Sequence, residues 1–197
     1  TSIMKHADRI HSKSKIVSVT SDNPHHSYTY GDAFRRARKL ANALEGVGFK
    51  QGDRIATLAW NDYRHFELYY AISCSGQICH TINPRLFPEQ IDFIINHAED
   101  QWVFTDPMFV PLLESLKDKL PTVRGYVVLT DEAHMPETQL ANVHCYETFI
   151  SGQKDTFEWP DLNEQTASSM CYTSGTTGNP KGVVYSHRST VLHSCLL

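Results

Sequence analysis

The sequence has no apolar run approaching the roughly 18 consecutive residues that a membrane-spanning helix needs, and its mean hydropathy is -0.37. It has no excess of positive charge. Lys plus Arg number 18 against 22 for Asp plus Glu, giving a net charge of -4, which argues against a mainly electrostatic nucleic-acid binder while leaving room for a local anion site. Glycine and proline are sparse, at 10 and 9 of 197 residues, so collagen-like and low-complexity readings drop out. The five cysteines, Cys74, Cys79, Cys145, Cys171 and Cys195, are odd in number and form no Cys-x-x-Cys. Reduced thiols therefore fit better than a disulfide framework. The opening residues carry no apolar stretch of the kind a signal peptide needs, and the expected location is cytoplasmic.

What remains is the profile of a globular domain, 41% hydrophobic, 11% aromatic and 20% charged. The chain does not begin with Met, and the apolar-rich end Val191 to Leu197 has no Gly or Pro to stop it. The reading is a piece of something longer.

From Tyr28 onward, helical and strand patterns alternate, which predicts an α/β fold with a layered, mostly parallel sheet flanked by helices. Thr29-Tyr30-Gly31-Asp32 has capping-box spacing, and Ala33, Phe34, Ala37, Leu40, Ala41, Leu44 and Val47 recur at steps of three and four, so a helix should run to Gly46 or Gly48. Arg54 to Trp60 reads as a buried strand. A helix capped by Asn61 or Asp62 and ending at Gly76 follows. Ile78 to Ile82 reads as a strand, and Pro88 opens a helix with Ile91, Ile94, Ile95 and Ala98 on one face. Trp102-Val103-Phe104 and Tyr126 to Leu129 are further strands around a helix from Pro107 to about Leu120. The expected organisation is an α/β core over about 1–130, a surface connection over 131–168 packed in places by Tyr146, Phe149, Phe157 and Trp159, and a third region over 169–197.

That third region carries the chemistry. Thr173-Ser174-Gly175-Thr176-Thr177-Gly178-Asn179-Pro180-Lys181-Gly182 packs three Gly, four hydroxyl side chains and one Lys into ten residues with no acidic group. Glycine lets backbone amides approach an anion closely, hydroxyls donate to oxygen or ligate a hard cation, and Lys neutralises charge. The combination suits a triphosphate. It is not a Walker A loop, because Lys181 follows Pro180 and precedes Gly182, and it lacks the Gly-x-Gly start of a Rossmann fingerprint. The competing reading of such a string is a polar hairpin between two strands.

Tyr172 to Val183 resembles the phosphate-loop signature of the AMP-forming adenylating superfamily, which includes acyl- and aryl-CoA synthetases, luciferases and peptide-synthetase adenylation domains. The resemblance extends upstream through Thr29-Tyr30, Gly48 to Ala56, Asn83-Pro84-Arg85-Leu86 and Ile94 to Asp100. His80 to Leu86 and Val183 to Arg188 look most like the bacterial medium- and long-chain fatty-acyl-CoA synthetases.

The resemblance implies a two-step reaction. A carboxylate attacks the α-phosphate of ATP, releasing pyrophosphate, and the thiol of coenzyme A then attacks the acyl-adenylate carbonyl. Carried over, Thr173, Ser174, Gly175, Thr176, Thr177, Gly178 and Lys181 would hold the β- and γ-phosphates, with the Thr176 hydroxyl on Mg²⁺. The implied partners are a fatty acid, ATP and coenzyme A, with no nucleic acid. The resemblance also allows a homodimer and peripheral membrane contact. Family members continue well past this loop, with further pockets and a C-terminal domain bearing the adenylation Lys, so no catalytic residue is assigned here and the piece alone should be inactive. The alternatives are an aryl-CoA synthetase branch and a non-catalytic nucleotide-binding module.

Other residues invite functional readings with bland counterparts. Cys74, Cys79 and His80 could form a soft-metal cluster, but they lack a clear fourth ligand and read better as buried thiols. The basic stripe Arg35, Arg36, Arg38 and Lys39 could meet anionic headgroups or coenzyme A phosphates, although such stripes are usually solvated. His187 and Arg188 could lie near nucleotide or simply start a helix.

Overall fold

A computed structural model describes residues 1–20, 22–173 and 179–196. Helix α1 (Ser2–His11) and the antiparallel pair β1 (Lys15–Ser18) and β2 (His26–Thr29) precede the alternating part. Then come α2 (Tyr30–Gly46), β3 (Arg54–Leu58), α3 (Tyr63–Cys74), β4 (Ile78–Thr81), α4 (Pro88–Ala98), β5 (Trp102–Thr105), α5 (Val110–Leu116) and β6 (Gly125–Val128). The chain closes through β7 (Val143–Cys145), α6 (Tyr146–Ile150), β8 (Ala167–Thr173), β9 (Lys181–Ser186) and α7 (His187–Cys195). Seven strands form one sheet in the order β7-β6-β5-β3-β4-β8-β9. Every pairing in it is parallel except β8 with β9. This is the mostly parallel, helix-flanked sheet that the alternation predicts.

Local chemistry sets the helix starts. The Thr29 hydroxyl accepts from the Asp32 amide at 3.2 Å while the Asp32 carboxylate accepts from the Thr29 amide at 3.0 Å, the reciprocal pairing of a capping box. Asp62 caps α3 by accepting from the His65 amide at 2.9 Å, and Pro88 opens α4.

Because side chains alternate across a strand, each strand feeds two cores. Ile55, Phe104 and Val127 pack with Leu40 and Leu44 of α2, Leu68 and Ile72 of α3, and Tyr146 of α6. On the other face Ala56, Val103 and Val128 pack with Ile91, Ile94 and Ile95 of α4 and Leu113 and Leu116 of α5. Both faces are covered, which is why these strands are almost wholly buried.

Two expectations need correction. Residues 131–168 are not only a surface connection. They also contain β7, one edge strand of the sheet, and α6, while Tyr146 is buried in the core as its aromatic character leads one to expect. Val143-His144-Cys145 is too short a run to carry a strand signal of its own, and β7 exists by pairing with β6. The basic stripe of α2 is not simply solvated either. Arg35 pairs with Asp32, Arg38 with Asp8 at 2.8 Å, and Arg36 with Glu67 at 2.8 Å and Glu147 at 2.9 Å. Those carboxylates lie on other elements or at the helix start, where helical periodicity cannot reveal them.

Among the described residues, no helix is long and apolar enough to cross a membrane. All five cysteines are unpaired, with Cys74, Cys79 and Cys145 buried, in line with the reduced-thiol reading.

Candidate functional site

Parallel strands finish at one end of a sheet, and ligands of open α/β sheets bind in the crevice outside those carboxyl ends. In this protein β3, β4 and β8 end side by side there. A crevice of about 310 Å³ lies against their ends, lined by Trp60, His65, Tyr69, Asn83, Cys171 and Tyr172 among others. Thr173, the last residue of β8, continues directly into the hydroxyl-rich loop.

The loop is framed by an antiparallel ladder. Thr173 pairs with Lys181, Tyr172 with Gly182 and Cys171 with Val183. Of the seven residues expected to hold phosphate, Thr173 and Lys181 thus form the final rung of this stem, and both are exposed. Ser174, Gly175, Thr176, Thr177 and Gly178 lie outside the described residues. The topological part of the hairpin reading holds, since β8 and β9 are its two arms. The open end of these two arms lies at the carboxyl end of β8.

Behind the stem lies a set of polar groups whose assembly sequence spacing does not reveal. The His97 Nδ1 and the Tyr172 hydroxyl share a hydrogen bond of 2.6 Å. The Tyr172 ring also lies 5.3 Å from the ring of His80. His80 is fully buried on β4, and its Nδ1 sits 2.7 Å from Asp100. Burial raises the Asp100 carboxyl pKa above its ordinary value, although His80 opposes the rise. Beside the crevice, His65 Nε2 is 3.0 Å from the Thr57 hydroxyl, and burial lowers the His65 pKa to about 4, so its ring is neutral near pH 7. His80, His97 and Asp100 belong to the segments that carry the family resemblance. Their chemistry was hidden because the partners come from two strands and the end of a helix.

The soft-metal reading finds no support in these positions. Among the described residues, Cys74, Cys79 and His80 do not bring three ligand atoms together, and Asp100 occupies one His80 nitrogen. His187 starts α7, which Ser186 caps by accepting from the Ser189 amide at 3.1 Å, and Arg188 pairs with Glu164 at 2.6 Å. The helix-start reading accounts for both residues.

The family model for AMP-binding enzymes matches residues 4–197, nearly the entire chain. The chain belongs to the AMP-binding enzyme family. Its curated relatives include a medium-chain-fatty-acid–CoA ligase from Ectopseudomonas oleovorans, 48% identical over 98% of this chain and 35% of the relative. A 3-methylmercaptopropionyl-CoA ligase from Ruegeria lacuscaerulensis is likewise 48% identical, over 98% of this chain and 36% of its own length. A long-chain-fatty-acid–CoA ligase from Thermus thermophilus is 42% identical over 97% of this chain and 34% of its length. The chain therefore spans about a third of the length of these AMP-binding relatives. Among solved structures, an anthranilate CoA ligase in complex with anthranoyl-AMP superposes with a TM-score of 0.86 at 23% identity, covering 98% of this chain and 36% of that one. That likeness establishes the fold.

Proposed function

We propose that this chain supplies the triphosphate-binding part of a fatty-acyl-CoA ligase that works through an acyl-adenylate. The observation that carries the proposal is the Thr173–Lys181 rung at the carboxyl end of β8, the two ends of a stretch that is hydroxyl-rich and free of acidic groups in sequence. The names of relatives at 42% and 48% identity support a fatty acid as the acid substrate.

In the first half-reaction, a carboxylate oxygen attacks the α-phosphorus of ATP and the bond to the bridging oxygen breaks, so that pyrophosphate leaves with the electron pair. Negative charge gathers on the leaving group. Lys181 and the hydroxyls of Thr173, Ser174, Thr176 and Thr177 are suited to hold that charge, which is where electrostatic preorganisation lowers a barrier. The loop's donor set fits Mg²⁺, because the Thr176 hydroxyl is a hard oxygen ligand and, with no carboxylate in the ten-residue string, phosphate oxygens and water would complete the shell. Bound there, the ion would screen the charge of the β- and γ-phosphates. Coenzyme A as thiol acceptor, a homodimeric assembly and a cytoplasmic location belong to the same proposal.

The relative acting on a 3-methylmercaptopropionyl group is as similar in sequence as the medium-chain one, which favours one second reading, a short thioether acid. Acid-dependent exchange of pyrophosphate into ATP by the full-length protein, with straight-chain acids of graded length and 3-methylmercaptopropionate side by side, separates the two. Exchange with saturated fatty acids supports the first reading, and selective exchange with the thioether acid supports the second.

A further inference from the structure

Tyr172 is packed on three sides. Its hydroxyl meets His97 at 2.6 Å. Its ring lies so close over Gly182 that a Cβ there would stand 3.2 Å from Tyr172 Cζ. Its other neighbour is the His80 ring, 5.3 Å away and itself bonded to Asp100. His97 is fixed in turn: it sits in the last turn of α4, its ring stacked on Phe93 with centroids 5.3 Å apart and planes 25° apart. Residues 97 and 100, on one short stretch at the end of α4, therefore grip β8 through Tyr172 and β4 through His80.

This grip sits next to the phosphate stem. The Tyr172–Gly182 pair is the rung immediately behind Thr173–Lys181, so whatever fixes Tyr172 fixes the separation and twist of the two arms at the point where Lys181 opens β9. A Cβ at position 182 would require the Tyr172 ring to shift by a few tenths of an ångström.

We propose that Tyr172 and His97 are positioning residues for the phosphate stem, acting through their shared hydrogen bond to hold Thr173 and Lys181 where they meet the triphosphate. This inference rests on the adenylation reading above. The two act as a unit, so losing either partner should have the same consequence as losing both. They touch no reacting atom, and the second half-reaction, which begins after pyrophosphate has gone, should be spared.

The test uses the full-length protein and compares the unsubstituted form with Tyr172→Phe, His97→Ala, the double variant and His97→Asn, whose amide reaches the position of His97 Nδ1 and can still meet the hydroxyl. Tyr172→Phe keeps the ring over Gly182 and should fold normally. In pyrophosphate exchange, Tyr172→Phe and His97→Ala should each raise the KM for ATP about tenfold, the size expected for one neutral hydrogen bond. The double variant should be no worse than either single, and His97→Asn should recover most of the loss. Conversion of supplied acyl-adenylate to acyl-CoA should stay within about twofold of the unsubstituted rate. An unchanged KM for ATP, a fully additive double variant, or equal impairment of both half-reactions would each overturn the inference. Absence of exchange in the unsubstituted protein would instead overturn the adenylation reading, and this inference with it.

Discussion

Arg36 on α2 and Glu147 on α6, 111 residues apart in the chain, form a two-pronged ion pair with both hydrogen bonds at 2.9 Å. The same guanidinium donates to the fully buried Glu67 at 2.8 Å, and Glu67 also accepts from the Tyr146 hydroxyl at 2.7 Å. Glu147 accepts in addition from Arg64, which reaches Asp22 at 2.8 Å. A charged network thus ties α2, α3 and α6 together at one face of the sheet.

Removing Arg36 leaves Glu67 buried without its cation. Burial already pushes the Glu67 carboxyl up to about 7, with Arg36 opposing the rise. Arg36→Met should therefore cost about 3 to 5 kcal/mol, read as a lowered midpoint in urea. The sign of its pH dependence follows from the direction of the shift. Glu67 in the variant titrates even higher, so it folds neutral at low pH and the loss deepens as pH rises from 6 to 8. A cost below about 1 kcal/mol would count against a structural role for the pair.

Asp22 titrates in the opposite direction. Burial would raise its pKa, but hydrogen bonds from Arg64 and Thr20 and the Arg64 charge outweigh burial and hold it near about 2. A lowered carboxylate pKa contributes stability above its unfolded value, and that stability fades as pH falls through the folded value. The unsubstituted protein should exceed Asp22→Asn by about 2 kcal/mol at pH 7, with the gap closing between pH 4 and 2. Chemical unfolding at several pH values measures it. A gap independent of pH would show that Asp22 acts by shape alone.

Much of the fold was legible from residues that act locally. Thr29 and Asp32 announce α2, Pro88 announces α4, and the apolar runs at 54–60 and 102–104 announce buried strands. Strand order was not legible, nor was β7, because pairing between distant segments leaves no mark on periodicity. The same holds at the site. The loop's composition pointed to phosphate, whereas the hydrogen bond between Tyr172 and His97 joins residues 75 positions apart. Arg36 read as one cation in a stripe because its partners stand on α3 and α6.

Gly182 provides a steric test of the stem. Gly182→Ala places a methyl group 3.2 Å from Tyr172 Cζ, on a ring whose hydroxyl is held by His97. The KM for ATP should rise several-fold, while stability falls by no more than about 1 to 3 kcal/mol, the usual range for inserting a methyl group into a packed contact. Steady-state kinetics with ATP varied, alongside thermal unfolding, decide it. Unaltered ATP kinetics would mean that the ring and stem can shift without consequence.

Thr176 separates the two half-reactions. If its hydroxyl orients Mg²⁺ and pyrophosphate, Thr176→Ala should slow adenylation on the order of 10²-fold or more. Synthetic acyl-adenylate and coenzyme A should restore much of the rate. Equal impairment of both steps in a normally folded variant would remove Thr176 from the role assigned to it.

The most direct measurement of the central claim is fatty-acid-dependent exchange of labelled pyrophosphate into ATP, run on the full-length protein and on the 197-residue chain in parallel. The account predicts Mg²⁺-dependent exchange by the full-length protein with medium- or long-chain acids, and none by the shorter chain, which spans about a third of its relatives' length. A folded full-length protein that binds ATP yet exchanges no pyrophosphate with any carboxylic acid would contradict it.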